Sequence, residues 1–198
     1  MENSEKVMTE QESLLLIGQM IQQAKQSVQE NGFIFMLWGW LVLAAALSNY
    51  VLLYVVRYEH HYLPWPVLMT LGGIISIVHG QREKKREPAV KTHLGIFMKY
   101  LWIAFGVSLA FVLLYMAKIG VQQAYPLILV VYGIGTFVTG GALNFRPLII
   151  GGICCWVLAV IAVFFSFQVQ LLLLSLAIIV AYIIPGHLLK NRAAHEKI

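Results

Sequence analysis

Six apolar runs occupy the chain between Phe33 and Gly186, and none has Glu, Lys or Arg at its centre. Uncharged runs of this length read as membrane spans, each closing its own backbone hydrogen bonds as a helix. The predicted spans lie at about 33–56, 62–79, 100–117, 124–144, 148–166 and 169–185. The fold class is therefore an all-α membrane protein, a six-transmembrane helical bundle over 33–186. Composition agrees. The chain is 60% hydrophobic with only 12% charged residues, about half the charged share of a soluble domain. Its mean hydropathy is +0.77.

The stretch Gly80–Lys99 gives the spans a direction. It holds Arg82, Lys84, Lys85, Arg86, Lys91 and Lys99, six of the fourteen Lys and Arg residues. Basic connections stay on the cytoplasmic side. With six spans, the N-terminal segment, this loop, the 144–147 turn and the C-terminal tail share that side. They carry twelve of the fourteen basic residues, and the opposite connections carry Arg57 and Lys118. Both termini are expected in the cytoplasm.

Ahead of the first span, residues 10–30 repeat apolar side chains at helical spacing: Leu14, Ile17, Ile21, Ala24 and Val28. That predicts an amphipathic cytoplasmic helix. Thr9 and Glu12 form a capping box, and Asn31-Gly32 supplies a stop. Segment 1–32 is read as one cytoplasmic unit and 187–198 as a cytoplasmic tail. The stripe needs a cover: a protein partner, a second copy of the chain, or the lipid headgroups. The opening MENSEKVMTEQE is acidic and the first apolar run starts late, so no cleaved leader is expected.

Some chemistry is excluded. The chain has no Asp, so it cannot build paired-aspartate Mg²⁺ sites. Its net charge of +5 lies beside the spans, where it orients helices and meets anionic lipid. No nucleic-acid partner is expected. Cys154 and Cys155 are adjacent within a span and give no disulfide framework. No metalloprotease, phosphate-loop, dinucleotide or nucleophile-elbow motif occurs. No cofactor is expected, and enzyme activity is the weakest reading.

Among the spans, the run YGIGTFVTGG at 132–141 is the least bulky. Tyr132, Thr136, Thr139 and Gly140 mark either a helix-packing face or the border of a pocket. His79 and His187 end spans two and six on the cytoplasmic side, and would be the ligand pair for a haem or metal if one were bound. His79, Glu83 and Glu87 repeat at steps of four, but in a stretch where basic neighbours suffice as partners. The motif Trp40, Trp102, Trp156 in spans one, three and five suggests a hairpin repeat.

The segments FMLWGWLV at 35–42, YGIGTFVTGG at 132–141 and IIPGHLLK at 183–190 resemble small six-helix membrane proteins of Bacteroidetes-type bacteria. The resemblance implies the fold and topology above and no activity. Two functional readings follow. The first is a non-catalytic subunit acting in assembly, regulation or accessory work through its cytoplasmic helix. The second is a small oligomeric channel or carrier for a neutral or apolar solute.

Overall fold

The computed structural model describes residues 32–86 and 93–195. The amphipathic segment 10–30 lies outside them. Six long helices follow one another in an up-and-down order. They are α1 (Gly32–Val56), α2 (Pro64–Arg86), α3 (His93–Ile119), α4 (Val121–Ala142), α5 (Arg146–Val163) and α6. The last starts as Phe167–Ile178, passes through a wide π turn at Ile179–Ile183, and continues as Ile184–His195. Five of the six, all but α2, are long and apolar enough to cross a membrane. In α2 the apolar stretch from Val67 to Val78 is short, and the helix ends in the basic residues.

The centre is built from α4, α5, α6 and the first half of α1. Leu129, Leu148, Leu171, Leu174, Ile178 and Val42 are enclosed there. Among the described residues the buried polar side chains are Asn49, Thr136, Thr139, Gln170 and Ser175, none of them charged. The outer faces carry Phe111, Leu114, Val160 and Phe164 in the open. Met98 is the one buried residue among the described side chains of α3. Such broad apolar surface is a liability in water and the ordinary surface of a helix in lipid. The chain is a membrane-embedded helical bundle.

Glycines set how closely the helices approach. A Cβ at Gly140 would fall 2.6 Å from the Ile149 backbone nitrogen, and one at Gly152 would fall 2.7 Å from that of Phe137. At Gly133 it would overlap the Trp156 indole. These contacts bring α4 and α5 together along an extensive interface. Van der Waals packing through small residues is the main attraction between helices in lipid. The same device joins α1 to α6, where Gly32 and Gly39 face Gly186 and Ile183.

Three expected boundaries move. Gly32 does not stand outside the first span: it lies in α1, where its missing side chain admits α6. Pro126 suits the first turn of the span predicted from 124, but it does not open α4, which starts five residues earlier at Val121. A proline inside a helix leaves the carbonyl four residues back without its donor. Here that carbonyl belongs to Gln122, and the Gln170 side chain supplies the missing donor at 2.9 Å. Pro185-Gly186 does not break α6 either. The π turn just before it bonds the Ile184 amide to the Ile179 carbonyl, five residues back, so the helix passes the proline with its register shifted. The turns between helices are tight. Gly120, at φ 90°, alone separates α3 from α4. Asn144, at φ 49°, closes α4 with bonds from the Asn144 and Phe145 amides to Gly141 and Gly140. The three tryptophans of the suggested repeat differ in setting: Trp40 is exposed, whereas Trp102 and Trp156 are half-buried.

Candidate functional site

The α4 face marked by the sequence lies at the packed centre. Thr136 donates from Oγ1 to the Tyr132 carbonyl at 2.8 Å, and Thr139 donates to the Gly135 carbonyl at 2.7 Å. Both hydroxyls are satisfied within their own helix, and both residues are fully enclosed. The Tyr132 ring meets Phe105 and Tyr182 edge-on, with centroids 5.3 and 5.4 Å apart. Gly140 seats Leu148 and Ile149. Neither of the two principal clefts is lined by any of the four residues. The arrangement holds α3, α5 and α6 against α4 and leaves no room for a solute beside Thr136 and Thr139.

The two histidines expected at the cytoplasmic end have different surroundings. Phe33 of α1 stacks on His79, with ring centroids 4.5 Å apart. On the other side of α1, Gly32 packs against Gly186 and Lys190. Helix α1 therefore passes between His79 and the exposed His187. Among the described residues, no three His, Cys, Asp or Glu side chains gather as a metal site. Glu87 lies outside the described residues. Cys154 and Cys155 are free thiols.

The polar chemistry gathers instead at the bundle end opposite the basic stretch. A cleft of about 390 Å³ opens there, with walls from α1, the α1–α2 connection, α2, α3, α4 and α6. Leu53, Trp65, Met116, Val121 and Phe167 supply its apolar surface. Asn49 and Tyr125, both buried, and His61 stand at its polar side. His61 Nδ1 lies 2.9 Å from Asn49 Oδ1. The Tyr125 hydroxyl neighbours Asn49 and the Trp65 indole. The geometry with Trp65 does not complete a bond, and Nε1 is left buried without an acceptor. An unpaired buried donor of this kind costs about 1–3 kcal/mol. Leu53 belongs to the π turn Val51–Val56 that widens the end of α1, which then reverses at Arg57 in the left-handed conformation.

Beneath the cleft, glutamines tie the helix ends together. Gln170 Nε2 donates to the carbonyls of Gln122 and Ala162, each at 2.9 Å, and reaches that of Phe165 at 3.2 Å. Gln122 donates to the same Phe165 carbonyl. Gln168 donates to the Tyr50 hydroxyl at 3.2 Å. Helix ends leave carbonyls unpaired, and near a bilayer such groups need partners from the protein. In sequence Asn49 falls in the outer half of the first span and His61 in the connection after it, but nothing there joins the two or marks Gln122 and Gln170. The one available signal was Pro126, which guarantees an unpaired carbonyl at Gln122.

Compared with protein-family models, curated proteins and solved structures, the chain matches none.

Proposed function

We propose that the protein is a non-catalytic subunit of a bacterial inner-membrane assembly, working through its N-terminal amphipathic segment. One observation carries this reading over the carrier: the centre of the bundle is closely packed. Its hydroxyls at Thr136 and Thr139 are bound to their own helix, and the space beside Gly133, Gly135 and Gly140 is taken by Trp156, Phe105, Leu148 and Ile149. A carrier for a neutral solute needs a polar or hydrated path at that depth. In the proposed arrangement all six helices span, both termini face the cytoplasm, and the twelve-to-two division of Lys and Arg supports that orientation. The likeness to small six-helix bacterial membrane proteins supports the same architecture. The stripe Leu14, Ile17, Ile21, Ala24 and Val28 is then the surface offered to the partner.

Gentle purification from the native membrane, followed by native mass spectrometry, tests this. The expected result is a second polypeptide in fixed stoichiometry that is lost in Ile21→Glu while the bundle stays inserted. A homo-oligomer with no second chain, unchanged by Ile21→Glu, would refute it.

A further inference from the structure

The cleft at the end opposite the basic stretch plays no part in that role, and its chemistry is specific. An amide oxygen only accepts, so with Asn49 Oδ1 2.9 Å away the His61 tautomer that fits the contact carries its proton on Nδ1. Nε2 is then the ring's acceptor. Among the described residues nothing donates to it, and it is not one of the enclosed polar atoms. Asn49 is itself 2% exposed and flanked by Tyr125, so the orientation of the imidazole is held from behind. No Lys, Arg, Asp or Glu lines the cleft, and its remaining wall is almost wholly apolar. A charged ligand would find no counter-ion there. A ligand with no polar group would leave the imidazole acceptor unused. The volume, about 390 Å³, is in the range of small-molecule sites.

We infer that this cleft binds a neutral membrane alcohol, whose hydroxyl donates to His61 Nε2 while its apolar body lies against Leu53, Met116, Val121 and Phe167. Two membrane components share that chemistry: a diacylglycerol, with its free primary hydroxyl, and the reduced, hydroxyl-bearing form of a lipid quinone. Chains longer than the cleft extend into the bilayer beside the exposed α3 surface. The Trp65 indole N–H, buried without an acceptor in the same wall, is a second polar group beside the ligand.

The test uses the full chain in lipid nanodiscs and native mass spectrometry. The probes are 1,2-dioctanoylglycerol, decylubiquinol kept reduced, and the acetate-capped dioctanoylglycerol that lacks a hydroxyl. The expected result is a saturable one-to-one adduct with at least one hydroxyl probe, and binding of the capped compound at least tenfold weaker. Binding of the glycerol probe alone names a glycerolipid, and binding of the quinol alone names a quinol. His61→Phe keeps a ring and removes the acceptor, and should weaken the adduct about tenfold, the effect of one hydrogen bond. Val121→Trp fills the mouth and should abolish it, with melting temperature checking that each variant is folded. Absence of a saturable adduct with either hydroxyl probe would overturn the inference. So would equal binding of the capped compound, or binding that His61→Phe leaves unchanged.

Discussion

Two neighbouring glycines show how much a single position matters in this bundle. Gly140 has no space for a methyl group, because the Ile149 nitrogen and the Leu148 Cβ occupy it at 2.6 and 2.8 Å. Gly141, one residue on, has nothing within 4 Å. Overpacking of a tight contact costs about 1–3 kcal/mol. Gly140→Ala should therefore lower the melting temperature in detergent. Gly141→Ala should leave it unchanged or raise it, since Ala is the better helix former. Gln170 offers a second test at this scale. Its amide serves the Gln122 carbonyl that Pro126 leaves unpaired, as well as the end of α5. Gln170→Leu should destabilise by a few kcal/mol, at about 1–3 kcal/mol for each buried group left unpaired. Restoring the helix donor with Pro126→Ala should reduce that loss, so a double-mutant cycle should show coupling of about 0.5–3 kcal/mol. Additive losses would mean that Gln170 acts on α5 alone.

At the scale of elements, the helices were legible because their apolar runs are long and free of charge. Their ends were less legible, for reasons that can be named. In sequence Pro126 reads as a helix start and Pro185 as a helix stop, yet Gln170 compensates the first inside α4 and a π turn absorbs the second. Both compensations come from packing or from register, which residue order does not display. Gly32 likewise reads as a helix stop, and only the approach of Gly186 explains why it sits inside α1. The polar end was illegible for a simpler reason. Asn49, His61, the pair Gln122 and Tyr125, and Gln170 come from four separate segments, and each alone resembles an ordinary polar residue at a span boundary. The path of α1 between α2 and α6 makes a further prediction. In a chain with Cys154 and Cys155 replaced by Ala, the pair Phe33→Cys and His79→Cys should cross-link on oxidation, matching the 4.5 Å ring contact. The pair His79→Cys and His187→Cys should not, because α1 lies between them. The reverse pattern would place the two histidines together and reopen the ligand pair.

For the whole molecule, polarity is distributed in a consistent way. Basic residues collect at one end, buried amides and an imidazole at the other, and the centre between them is closed by glycine contacts. The lipid-facing surface is apolar and largely uninterrupted on α3 and α5. The small-residue run of α4 was open to two uses from sequence alone, because packing faces and solute grooves draw on the same residues. Its neighbours decide between them: Ile149, Leu148, Trp156 and Phe105 fill the spaces that a groove would leave empty. The most direct test of this closed centre is solute flux. Purified protein in liposomes, exposed to a glycerol gradient and followed by stopped-flow light scattering, should reswell at the rate of protein-free vesicles. A protein-dependent rate that falls when Thr136 or Thr139 is replaced by a bulkier residue would contradict the account and establish a path through α4.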